Sequence, residues 1–482
     1  MKKIALFLVF WLFTAGRGLF PQERFRKTPP SPEPLQEFRL PAPETVPLSN
    51  GLKVSVVFRD SMPMMSLELI LDAGEIRSPE KSPGLATFAA NMFSRSTQFR
   101  STEEIEELVE SIGGSLTVTT SQDYVLLAFH FLDDYLDQAL ELISQMILQP
   151  NFSDREIASA KLALTYELLE KEKNPEFAAK RLLLRQLFKN HPYEKFAFFR
   201  DVIRTWNQKE LAEFFDRFYR PNAAHLILIG NLSLKTATRK VSHYLNLWQP
   251  RDVPVLPLQA PKLPDRDKVC FIDVPQVRDC TIYLGTAFPA SDTTDRFALA
   301  VLNQILGGTP NSRLFMALRE SKGYAYFCFS ETELFRMGGL FLVRARVTPE
   351  VVYPSVQEIL KVAKAMARDP ISSAEIEQAK SYLLGNFPIK IERYDSFAEH
   401  IAHSKAYNWG DEPWNKYYDQ ITLIGPEKIS QAAQKYLLQP AIIIIAGDRN
   451  FLADRFGEFD SIEVYDNKGQ YQYTVSKERS HE

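Results

Sequence analysis

The stretch Gly84-Leu-Ala-Thr-Phe-Ala-Ala-Asn-Met-Phe-Ser-Arg-Ser-Thr97 has the spacing of a metal-binding helix without the residues. In an H-x-x-E-H helix, two His four apart hold zinc on one face and the Glu deprotonates a zinc-bound water. Thr87, Ala90 and Asn91 occupy that register here. Thr and Asn are poor zinc ligands, and Ala has no group to move a proton. Taken alone, Gly-Leu-Ala before an apolar helix reads equally as core. His400-Ile-Ala-His403, preceded by Glu399, is an i, i+3 His pair on a helical pattern. It lacks an evident third ligand and reads as surface or packing histidine. Cys270, Cys280 and Cys328 form no C-x-x-C pair, and their odd count permits at most one internal bridge. No G-K-[ST] follows Gly307-Gly308, so a nucleotide loop is a poor reading.

These residues need elements to place them. The 482 residues are too many for one core. An apolar content of 45% and a charged content of 24% are globular values. A net charge of −3 gives no electrostatic reason to expect a nucleic-acid partner. Lys2-Lys3, an uncharged run from Ile4 to Gly16 and small residues at Thr14-Ala15-Gly16 predict a signal peptide over 1–18. The run is short for a span, so no membrane association is expected after cleavage and the chain is expected to be exported. A Pro-rich linker follows over 19–44.

Leu48-Ser-Asn-Gly-Leu-Lys-Val54 predicts strand, turn, strand. A strand over 66–71, the helix at 84–95 and a helix opening at Ser101 or Thr102 come next, the last closed by Gly113-Gly114. Strands over 116–120 and 124–131 precede helices at about 133–147 and 153–171. The second half repeats this order. Phe152-Ser-Asp-Arg-Glu-Ile-Ala matches Ile371-Ser-Ser-Ala-Glu-Ile-Glu, and Pro221 before Leu226–Gly230 matches Pro440 before Ile442–Gly447. Glu156/Glu375 and Pro221/Pro440 share one offset of 219 residues, which implies an internal duplication. The expected fold is α+β: two duplicated domains, 45–248 and 266–465, joined by a Pro-rich linker over 249–265 and followed by a tail, 466–482. Each is expected to be an antiparallel sheet with helices packed on one face.

Leu48-Ser-Asn-Gly-Leu52, Gly84-Leu-Ala, His191-Pro-Tyr193, Tyr219-Arg-Pro221 and Gly307 to Tyr326 together resemble the insulinase/pitrilysin-like zinc peptidases. That family includes the mitochondrial processing peptidase and the core subunits of the respiratory bc complex. The resemblance runs over about residues 45 to 460. It implies duplicated domains that enclose a chamber with a partner. The family's spacing from Asn91 to a third zinc ligand reaches Glu167, which supports the alignment without restoring a site, since one carboxylate cannot hold zinc alone. In Leu318-Arg-Glu-Ser-Lys-Gly-Tyr-Ala-Tyr326, Arg319 and Tyr326 match a pair that in the family binds the substrate carbonyl at the partner's zinc. A fixed guanidinium and a phenol suit an oxygen that gains charge.

The resemblance therefore implies a non-catalytic, substrate-binding subunit acting on peptides, in the periplasm. Zinc and the H-x-x-E-H helix would come from a homologous partner, with no cofactor in this chain. The other readings are an inert peptide-binding or assembly protein of the same fold and an autonomous zinc peptidase.

Overall fold

The computed structural model describes residues 41–198, 200–257, 259–289, 295–407, 409 and 415–477. All belong to the unit Phe38–Glu482. The signal peptide reading, most of the 19–44 linker and the end of the tail lie outside the described residues.

A reversal at Leu48–Gly51, closed by the Gly51 N–H donating to the Leu48 carbonyl, starts the first sheet. It joins β1 (Glu44–Pro47) to β2 (Lys53–Phe58). The sheet is completed by β3 (Met64–Leu71), β4 (Ser115–Thr120), β5 (Val125–Leu132) and β6 (Ala224–Gly230), in the order β1-β2-β6-β3-β5-β4. The second sheet holds β7 (Lys268–Asp273), β8 (Cys280–Pro289), β9 (Ala325–Phe335), β10 (Gly338–Val347), β11 (Ile442–Gly447), β12 (Ser461–Tyr465) and β13 (Tyr471–Ser476). Its order is β13-β12-β7-β11-β8-β10-β9. Strands β2, β6, β3, β5 and β4 thus occupy the places of β7, β11, β8, β10 and β9, and the duplication is visible as topology. The second sheet extends to Ser476, so part of the segment read as a tail is an edge strand.

Neither sheet is purely antiparallel. β6 pairs parallel with β2 and antiparallel with β3, and β11 does the same between β7 and β8. The reason is geometric. β2 and β3 run in opposite directions, so a strand inserted between them must be parallel to one. The inserted strands Leu226-Ile-Leu-Ile and Ile442-Ile-Ile-Ile are apolar on both faces, as central buried strands are.

Helices cover both faces of each sheet, not one. Helix Pro175–Leu187 leaves the first half and lies on the second sheet, where Leu182, Leu183 and Leu187 pack with Tyr283, Leu342 and Ile444. Gly285 of β8 lets it approach: a Cβ there would meet Leu183 Cδ2 at 2.9 Å. Helix Tyr394–Ala406 returns the exchange. Phe397, Ile401 and Ala402 lie against Ile70, Ile227 and Ile229 of the first sheet. Both ends of these two helices are related by the same 219-residue offset. Each fully buried Leu or Phe contributes about 2 kcal/mol, so the exchange ties the halves into one cooperative body.

A polar network seals that junction. Asp123, fully buried, accepts from Tyr193 Oη at 2.8 Å and from the Arg336 N–H at 2.8 Å. Tyr193 Oη in turn accepts from the Met337 N–H at 2.8 Å. The Arg336 guanidinium reaches Asp72 at 2.9 Å, which also pairs with Arg77 at 2.5 Å. Arg77 donates as well to the Pro254 carbonyl, which anchors the linker.

Candidate functional site

Helix Leu85–Phe93 carries the metal-helix register. It buries Leu85, Ala86, Phe88, Ala89, Met92 and Phe93, and Phe88 stacks on Trp206 at 5.0 Å. Gly84 opens it with φ +82°, a left-handed backbone that favours glycine, and a Cβ would meet Trp206 at 2.7 Å. With no side chain of its own to cap the helix, the first turn is satisfied from outside. Glu75, fully buried, accepts from the Gly84 N–H at 2.5 Å, the Thr87 N–H at 3.1 Å and the Thr87 hydroxyl at 3.0 Å. Burial lifts its carboxyl to about 7, against the pull of the hydrogen bonds from Ser78, Gly84 and Thr87.

The register does not fit zinc. Thr87 spends its hydroxyl on Glu75, Ala90 is packed in the core, and Asn91 offers a neutral amide. Helix Asp154–Lys171 packs against this one, but Glu167 is half exposed on it and pairs with Lys171 at 2.5 Å. Among the described residues no group of three His, Cys, Asp or Glu could hold a metal ion.

Arg319 and Tyr326 do meet. Arg319 lies in a wide π-type turn, Met316–Ser321, and donates to the backbone carbonyl of Tyr326. Its guanidinium sits 5.7 Å from the Phe315 ring and 3.9 Å from Glu320. Both side chains are about half exposed, and Tyr326 is the second residue of β9, the edge strand of the second sheet. Both side chains are thus accessible to solvent beside one sheet edge, with one guanidinium N–H spent on the chain's own carbonyl. Gly307-Gly308 closes helix Arg296–Leu306: the Gly307 N–H donates to Asn303, and the Gly307 carbonyl accepts from Ser330 on β9.

The His pair is split. His403 Nδ1 lies 2.9 Å from Tyr124 Oη and its ring meets Tyr124 edge-on, while His400 lies exposed on the same helix. Cys270, Cys280 and Cys328 are free and buried, with Cys270 and Cys280 pushed up to about 12 by burial. Sequence reasoning missed one cluster. Ser66 Oγ donates to Glu68 at 3.0 Å and lies 2.8 Å from His130 Nδ1. Ser66 is fully buried beneath helix Tyr394–Ala406, so it is no nucleophile. Burial raises Glu68 well above the usual carboxylate range, and Glu399 and Asp395 add to it.

Two family models match in tandem: Insulinase (Peptidase family M16) over residues 56–197 and Peptidase M16 inactive domain over 205–383. The chain belongs to the insulinase (M16) family. Within it, this is an inactive homologue, since the residues of its metal helix cannot bind zinc. It is 24% identical over 402 residues to an uncharacterised zinc protease of Mycobacterium bovis, covering 82% of this chain and 91% of that one. It is also 24% identical over 351 residues to the non-peptidase homolog YmxG of Helicobacter pylori, covering 72% and 81%. Two crystal structures share the M16 fold. An M16 inactive domain from Pseudomonas fluorescens superposes with TM-score 0.77 at 21% identity, over 84% of this chain and 98% of that one. A protease from Helicobacter pylori superposes with TM-score 0.79 at 21% identity, over 85% and 100%.

Proposed function

We propose that this chain is the non-catalytic, substrate-binding subunit of a heterodimeric zinc metalloendopeptidase acting on peptides. One contrast carries the reading. The first half has lost every group that could bind zinc or move a proton at 87, 90 and 91, while the second half keeps Arg319 and Tyr326 side by side and half exposed. A homologous partner would supply zinc, the H-x-x-E-H helix and the activated water. Arg319 and Tyr326 would donate to the carbonyl oxygen as it becomes negative, each donor contributing about 3 kcal/mol. The basic n-region and apolar run at the start of the chain support export to the periplasm, which fractionation of a tagged chain checks.

The test mixes the mature chain with a homologous H-x-x-E-H subunit. Cleavage of an unfolded peptide is expected in the mixture and in neither chain alone. Arg319→Ala is expected to lower kcat by about 10²-fold with the complex intact. Unchanged cleavage by that variant rules the contribution out. Stoichiometric zinc in the chain purified alone would instead favour an autonomous peptidase. The second reading is an inert peptide-binding or assembly protein of this fold. It is favoured by the tie between Arg319 and the Tyr326 carbonyl, which engages part of the guanidinium within the chain. Peptide capture with no cleavage in any such mixture would establish it.

A further inference from the structure

The duplication assigns the degenerate metal register a counterpart in the second half. Helix Asp154–Lys171 corresponds to helix Ser373–Ile391 at the 219-residue offset, which sets Asn386 in the place of Glu167. Helix Leu85–Phe93 corresponds to helix Arg296–Leu306. Aligning their last residues sets Ala300, Asn303 and Gln304 in the places of Thr87, Ala90 and Asn91. In both halves the two helices pack together. In the second half, Ala300, Gln304 and Asn386 line a cavity of 260 Å³.

Its walls are aromatic. Phe297, Phe387, Trp409 and Tyr417 contribute to them, with Phe387 and Tyr417 stacked at 4.5 Å. Its charge is of one sign. Arg296 and Lys390 line it, and no Asp or Glu does among the described residues. Arg296 lies over the Phe297 ring at 4.7 Å and the Trp409 ring at 5.0 Å. Neither cation has a carboxylate partner among the described residues. An apolar cavity with two cations and two neutral amides among its described lining suits an anion with an apolar body. A cavity of this volume admits one terminal residue with its carboxylate.

We propose that this cavity binds the carboxy-terminal residue of an extended peptide. Arg296 and Lys390 take the carboxylate, and Phe297, Phe387 and Trp409 take an apolar last side chain. The inference deepens the reading of this chain as a peptide-handling subunit, and it needs no partner chain to be tested.

The experiment measures fluorescence anisotropy of the full chain alone with an amino-terminally labelled, unstructured peptide ending in Leu. The peptide is offered as the free acid and as the carboxamide. The free acid is expected to bind about tenfold more tightly, the worth of one charge-assisted contact. Lys390→Gln, an exposed change that leaves the thermal midpoint in place, is expected to remove most of that preference. Ala300→Phe fills the cavity and is expected to abolish binding. Equal affinity for acid and amide, or no binding of either, overturns the proposal. Competition by octanoate at the same concentration as the peptide also overturns it, because the ligand would then be a free apolar acid. Carboxylate preference in this chain, with no cleavage in any H-x-x-E-H mixture, would sink the catalytic-partner reading and leave the cavity standing.

Discussion

Glu75 offers a sharp test of how the degenerate helix is held. Two effects oppose each other there. Three donors at a helix N-terminus favour the ionised carboxylate, and complete burial disfavours it. Burial wins, and the group titrates at about 7 in the fold against the usual 4.5. The sign follows. Its folded value lies above its unfolded one, so the unfolded chain releases the proton first. Stability from this group is full below about pH 4.5 and is lost as pH rises through 7. The complete loss is about 3 kcal/mol, and about 2 kcal/mol of it falls between pH 5 and pH 7.5. Glu75→Gln removes the titration and keeps the shape, at a constant cost where its NH₂ faces the Thr87 N–H. The assay is urea unfolding of both proteins at pH 5 and pH 7.5. The stability of Glu75→Gln relative to the parent chain is expected to rise by about 2 kcal/mol across that interval. An unchanged difference would show that the helix N-terminus outweighs burial and would refute the reasoning.

The junction between the halves gives a second expectation: Tyr193→Phe strips the Met337 N–H and Asp123 of a partner and costs about 2 kcal/mol in urea unfolding. Phe397→Ala, on the buried face of the exchanged helix, costs about 4 kcal/mol, and fluorescence and circular dichroism should still report one transition because one face of each sheet is covered by the other half's helix. All three thiols are expected to resist a disulfide reagent in the native protein and to react in urea, since burial raises each of them. Arg319→Ala is expected to change the unfolding free energy of the isolated chain in urea by no more than about 0.5 kcal/mol, which separates its effect on cleavage from folding.

Much of the site was legible in the chain because it depends on residue type at short spacing. Thr87, Ala90 and Asn91 exclude zinc chemistry wherever the helix lies, and Arg319 and Tyr326 are close enough in sequence for one turn to join them. Local caps were equally legible: Ser101 and Glu104 form the capping box of helix Thr102–Ser111. The duplication was legible too, since one offset relates Glu156 to Glu375 and Pro221 to Pro440.

The sheet faces were not. In Met65-Ser-Leu-Glu-Leu-Ile-Leu71 the alternation suggests that Ser66 and Glu68 face water, yet both are buried. Their cover is a helix more than three hundred residues away in the chain, and periodicity within a strand carries no trace of a distant partner. For the same reason the parallel insertions of β6 and β11 and the cavity beside Ala300 and Asn386 belong to the tertiary structure. The sequence by itself determined the residue types at the metal register and the short spacing between Arg319 and Tyr326. Only the folded chain decided where those groups stand, because the exchange of helices between halves rests on long-range apolar contacts and not on local pattern.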